Sequence, residues 1–162
     1  MTLNEIASSL REVVIQRLPM RRITRNTGEP YLDRYYLFGP GRKYMSVFLH
    51  HIRASDDMSE LHNHPFDAVS LVLRGGYYED RLDERDHATV HRRFVRPFTL
   101  NVIRARTFHR IDVPKGGAWT LFLRGRRQQS WGFFDVASRK FRLWDSDVWR
   151  TATEVANLGA WS

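Results

Sequence analysis

Cysteine is absent from the 162 residues, which excludes disulfides, zinc ribbons and thiol nucleophiles. A transition-metal site in this chain must therefore use histidine and carboxylate, a donor set that favours iron, manganese, nickel, copper or a catalytic zinc. No stretch approaches 18 consecutive apolar residues, so no membrane-spanning helix is expected. The first twenty residues lack the apolar core of a signal peptide and carry Glu5, Arg11, Glu12 and Arg17, which points to a cytoplasmic protein. Lysine is scarce too: of 26 basic residues, only Lys43, Lys115 and Lys140 are lysines. Finally, no histidine is followed two residues later by Asp or Glu. That disfavours the two-His, one-carboxylate triad of the 2-oxoglutarate oxygenases.

Hydrophobic residues make up 42% of the chain and aromatic residues 13%, enough to build a core. The length fits one domain, residues 1–162. One reading of the net charge of +8 is an acidic partner, either a small anion or nucleic acid; the other is a compositional skew toward arginine that has no functional meaning. Of the two partners, nucleic acid is the less favoured. The arginines are spread along the chain and cluster only as pairs such as Arg21-Arg22, Arg92-Arg93 and Arg126-Arg127, and no nucleic-acid-binding module is recognisable. Nucleic-acid binding would depend on salt.

Hydrophobic periodicity divides the chain in two. Thr2 to about Arg17 has helical spacing: Thr2 and Glu5 form a capping box, and Ile6, Leu10, Val13 and Val14 share a face. After Pro19 the period becomes two. Strands are expected over 31–38, 44–52, 61–73, 77–82, 89–95, 99–103, 108–113, 118–123, 130–136 and 141–144, separated by Gly- and Pro-containing turns. A short helix is expected over 147–157. Many short strands without βαβ alternation indicate an all-β sandwich or barrel.

The main chemical signal is His62-Asn63-His64-Pro65, with Thr107-Phe108-His109 much further on. On a strand, residues i and i+2 point to one face, so His62 and His64 can act together. His109, from a distant strand, can supply a third corner around a metal ion. The other four histidines score lower. His87 and His91 flank a polar turn, and of His50 and His51 only His50 has the alternation to line an interior.

The segment Leu61 to Gly75 resembles the first motif of the cupin superfamily, the RmlC-like jelly rolls: His62, His64 and Gly75 occupy its fixed positions, and His109 matches the histidine of the second motif. The match is most similar to a group of small bacterial and phage cupins. They share the run from Ser70 to Tyr77, the Trp119–Phe122 strand and Trp131-Gly132-Phe133. The resemblance implies a double-stranded β-helix, a jelly-roll barrel over about 31–145, with the short N-terminal helix and the C-terminal helix added. It also leaves room for a homodimer through sheet contacts. The chain departs from the pattern in several places. Ala68 occupies the acidic-ligand position, Arg104 and Arg106 replace the Pro and Gly before the third histidine, and Val113 replaces a later Asn.

Three neutral imidazoles leave a divalent ion its full charge and open positions, which suits an anionic substrate chelating the metal with oxygen beside it. The expected ligands are His62, His64 and His109. Asp67 is a fourth candidate if a bulge after Pro65 turns it inward. The expected metal is Fe(II), with Mn, Ni and Zn as alternatives. Tyr77 is a candidate proton donor, and Arg104 a candidate anion clamp that shares a face with Arg106; Arg34 on an early strand is another, although surface exposure is the commoner state of arginine. The leading expectation is a metal-dependent, dioxygenase-like oxidoreductase acting on a small anionic molecule. A sugar isomerase or epimerase, using His64 or Tyr77 as base, and a non-catalytic small-molecule-binding cupin are the alternatives.

Overall fold

A computed structural model describes residues 15–25, 27–39, 45–56, 59–151 and 154. The described chain is almost entirely β, with thirteen strands: β1 Met20–Thr24, β2 Pro30–Phe38, β3 Ser46–Ile52, β4 Leu61–His62, β5 Ala68–Arg74, β6 Tyr77–Leu82, β7 Val90–Val95, β8 Leu100–Ile103, β9 His109–Asp112, β10 Ala118–Arg124, β11 Gly132–Asp135, β12 Lys140–Leu143 and β13 Arg150–Thr151. They form two antiparallel sheets, one in the order β1-β2-β3-β10-β5-β8 and the other β13-β12-β11-β4-β9-β6-β7. The expected closed barrel is thus corrected to two separate sheets.

The first sheet follows from its alternation. In β3 the burial pattern alternates strictly, with Ser46, Phe48, His50 and Ile52 buried. β2 lies beside it in a register that sets Leu32 against Ile52 and Arg34 against His50. Leu32, Ile52, Val72 and Ala118 from this sheet pack with Tyr77 and Val95 from the other, which identifies their shared inner face. A second core, of Leu61, Leu82, Phe108, Phe134 and Phe141, lies within the second sheet's territory. Gly75 has φ +79, and a Cβ there would collide with the carbonyl of Gly117, so the turn into β6 requires glycine.

Several expected elements differ in detail. The long strand over 61–73 is broken into β4 and β5, because Pro65 has no N–H to donate to a ladder. β1, not anticipated, pairs with β2 and sets Arg22 opposite Asp33. Most of the helix expected over 2–17 lies outside the described residues; Ile15 and Gln16 are helical. The C-terminal helix does not begin at residue 147, because Phe141 pairs with Arg150 and draws Arg150–Thr151 into the sheet. The reciprocal cap sits at Thr151 instead. Its backbone N–H donates to Glu154 Oε2 at 2.5 Å, and Glu154 N–H donates to Thr151 Oγ1 at 3.4 Å. The remainder of 147–157 lies outside the described residues apart from Glu154, which is helical. No helix among the described residues is long and apolar enough to cross a membrane.

Candidate metal centre

β4 and β9 are paired at a single position, His62 against His109, so the two rings project from the same face of the second sheet. His64 follows two residues later, beyond the end of β4. Its orientation is held by the residue between the histidines. Buried Asn63 donates its N–H to the Gly132 carbonyl at 3.1 Å, and its Oδ1 accepts the Gly132 N–H at 2.8 Å. The His64 carbonyl accepts a bond from Gln129 Nε2 at 3.0 Å, and Phe66 stacks on the His64 ring at 5.7 Å.

The three rings meet. Their centroids are 4.9 Å apart for His62 and His109, and 5.1 Å for His62 and His64 and for His64 and His109. One nitrogen from each lies within 4.8 Å of the others. His64 Nε2 and His109 Nε2 are 2.9 Å apart. Two nitrogens bound at right angles to one ion at about 2.0–2.1 Å would themselves be about 2.9 Å apart, so the pair fits two adjacent corners of an octahedral ion. Without an ion the same separation lets one ring donate a hydrogen bond to the other.

Charge and burial keep the donors in the metal-binding form. Burial lowers the His62 pKa to about 4; the Asp56 carboxylate recovers part of the shift and His109 adds to it. Burial, followed by the neighbouring His109 and His62, holds His64 well below the ordinary imidazole range. Both rings are therefore neutral at pH 7, and each offers a lone pair.

Behind His109 stands Glu79. This carboxylate is fully buried, and its Oε1 accepts the His109 Nδ1–H at 2.8 Å. The same oxygen accepts bonds from Asn101 Nδ2 at 3.0 Å and from an Arg81 terminal nitrogen at 2.9 Å, while Oε2 accepts two from Arg93 at 2.7 and 2.9 Å. Burial alone would favour the protonated acid. The His109 bond, with Arg81 and Asn101, reverses this and holds the Glu79 pKa well below the usual carboxylate range. A carboxylate on Nδ1 fixes the tautomer that presents Nε2 to the site. On the other flank, Asp56 Oδ2 lies 3.7 Å from His62 Nδ1.

Sequence reasoning singled out neither Glu79 nor the role of Asp56. The signal for Glu79 was present, since Tyr77, Glu79 and Arg81 share one face of β6 and a carboxylate on that face requires partners. Other candidates sit elsewhere. Asp67 is exposed and is not among the converging donors; its Oδ1 accepts the Ala105 N–H at 2.7 Å. Arg104 is exposed, and Arg106 pairs at the surface with Glu84. Tyr77 is buried in the first core, where its hydroxyl accepts a bond from Asn101 Nδ2 at 3.1 Å.

No known family model matches the chain, and no curated protein does. Solved structures do. The Fe(II) form of HppE superposes with a TM-score of 0.52 at 14% identity, over 67% of this chain and 57% of HppE. KdgF from Halomonas sp. gives 0.51 at 14% identity, over 70% of this chain and 92% of KdgF. A variant of the oxalate decarboxylase OxdC from Bacillus subtilis gives 0.51 at 15% identity, over 72% of this chain and 29% of OxdC. The chain thus spans little more than half the length of HppE. These neighbours are cupin-fold proteins, and the likeness shows that this chain has that fold.

Proposed function

We propose that the chain is a mononuclear metal-dependent cupin, an oxidoreductase of the non-haem iron dioxygenase type acting on a small anionic molecule, as its likeness in sequence to small bacterial and phage cupins also allows. The observation that carries the reading is the convergence of His62, His64 and His109, with Glu79 behind His109. A neutral three-nitrogen donor set suits Fe(II) and leaves it open positions, with Mn, Ni and Zn the alternatives. Support for iron comes from HppE, whose structure is of its Fe(II) form. When bound, the ion supplies Lewis acidity and a redox centre.

The chain's own residues do the rest. Glu79 holds His109 in one tautomer. Asn63 and Gln129 fix the backbone that aims His62 and His64. Phe66 covers one side of the His64 ring and shields it from water. The charge balance favours an acidic substrate, because no carboxylate belongs to the ligand set.

The isomerase reading needs a general base beside the metal. Tyr77 is a poor one: burial pushes its pKa above the ordinary phenol value, with the Asn101 hydrogen bond opposing. An oxygen electrode separates the classes. Fe(II)-loaded protein should consume oxygen with at least one member of a panel of thiols, diketones and hydroxy acids. Substrate turnover without oxygen consumption would transfer the site to isomerase chemistry, and binding without turnover would make it a sensor.

A further inference from the structure

Most of the buried or half-buried charges in this protein are matched. Asp33 holds Arg22 and Arg53, Glu79 holds Arg81 and Arg93, and Asp80 holds Arg92 and Arg110. Arg34 is the contrast. It projects from the inner face of β2, in register with His50, and is half-buried. Among the described residues no carboxylate lies within ion-pair distance of it. Its Nε–H donates instead to His50 Nε2 at 3.1 Å, its guanidinium is also hydrogen-bonded with the Tyr36 side chain, and it lies over the Phe48 ring at 4.9 Å; all three partners are neutral. His50 is a neutral partner: burial, with the charge of Arg34, lowers its pKa to about 3. The bond thus leaves the full positive charge in place. Holding a cation away from water without a counter-ion is costly, and an incoming anion removes that cost.

The surroundings point to the same ligand. His50 stacks on Phe122 at 4.8 Å, Phe122 meets Phe66 edge-on at 6.5 Å, and Phe66 lies on His64. An unbroken row of rings therefore leads from Arg34 to the three-histidine site. Arg124 lies over Phe66 at 5.3 Å and adds positive potential along the row. Thr120, opposite His50 on β10, is 1% exposed, and its Oγ1 has no hydrogen-bond partner. A buried hydroxyl in that state calls for a polar partner, which a ligand atom beside His50 would supply.

We infer that Arg34 is the seat for the carboxylate of a small organic acid, whose apolar body lies along Phe122 and Phe66 and whose other end reaches the three histidines. The anion seat stands on the protein's own geometry; only the metal-facing end of the ligand rests on the reading under Proposed function. Arg34 provides charge and a planar fork that matches a carboxylate, with the Tyr36 side chain as a neutral neighbour that leaves the charge in place.

The test is isothermal titration of the full chain with benzoate and with benzamide, its uncharged analogue, on metal-free and on Fe(II)-loaded protein. Metal-free wild type should bind benzoate at least tenfold more tightly than benzamide. Arg34→Met should abolish that preference, and Arg34→Lys should restore part of it. Equal binding of the two probes by wild type would overturn the inference even if Arg34→Met fails to fold, as would a benzoate preference that survives in folded Arg34→Met. Loss of metal binding with the preference intact would defeat the metal reading and leave the anion seat standing.

Discussion

Asp33 and Glu79 are both sealed from solvent, and each is gripped by two arginines. Asp33 lies between Arg22 and Arg53 at 2.6 Å on each side, tying β1 to the β2–β3 pair. Glu79 has the same kind of arginine pair, but one of its oxygens also accepts the His109 Nδ1–H. Electrostatics that only fastens strands in one region is connected in the other to an imidazole whose far nitrogen faces two more. A buried ion pair is thus not in itself a sign of function. What distinguishes Glu79 is the third partner, an imidazole whose other nitrogen faces His64.

The largest expected difference between the two is in Glu79→Gln. The single NH2 of the amide must turn either toward Arg93 or toward Arg81, Asn101 and His109, and the buried imidazole and half-buried Arg81 lose their carboxylate, so unfolding in urea should show a loss of about 3–5 kcal/mol. Metal affinity should fall about 10–100-fold, since His109 loses the carboxylate that fixes its tautomer. Asp33→Asn is the control. Its arginines are about as exposed as Arg93, but no buried imidazole depends on its carboxylate, so the stability loss should be smaller, about 1–3 kcal/mol, and metal affinity, read by competition with a chelator, should stay within about twofold, in keeping with additivity between distant sites. A metal defect in Asp33→Asn as large as that in Glu79→Gln would erase the distinction.

Acid sharpens the comparison further. In the metal-free protein His62 stays neutral down to about pH 4, whereas in the unfolded chain an imidazole takes up its proton near pH 6.5. Between those values only the unfolded state gains a proton, so stability falls as pH drops from about 6.5 to about 4. Asp33 acts lower down. Burial opposes its ionisation, but the Arg22 and Arg53 bonds outweigh this and hold its pKa below the ordinary value. Its contribution is complete above the unfolded carboxylate's pKa of about 3.9 and disappears only as pH falls through the depressed folded value. Thermal melts of chelator-treated protein should therefore show a melting temperature that declines between pH 6.5 and pH 5. His62→Asn should lessen that slope without abolishing it, because His64 and His50 are held low in the same way, and Asp33→Asn should leave it unchanged while lowering the whole curve.

Period-two alternation carried most of the architecture in the sequence, as in β3 from Ser46 to Ile52 and β6 from Tyr77 to Leu82. β1 escaped it, because Met20–Thr24 is exposed at nearly every position and is held by the Asp33 ion pair, a contact between residues far apart in the chain. The His62 and His64 pair was legible because one intervening residue sets two side chains on one face. Even so, Asn63 and Gly132 fix that geometry, and not the continuous strand the spacing implies. Of Glu79 only its place on the Tyr77–Arg81 face of β6 was legible; its partners, the role of Asp56 and the unmatched charge on Arg34 were not. Each depends on which groups lie opposite across a sheet or in a loop, and linear spacing does not reveal that.

If three imidazoles hold one ion, elemental analysis of untagged protein will count it. After incubation with Fe(II) under anaerobic conditions and removal of excess, the wild type should retain one equivalent of metal, and His64→Ala or His109→Ala almost none. Wild-type protein that retains no metal, or a folded His109→Ala that retains a full equivalent, would contradict the three-imidazole site.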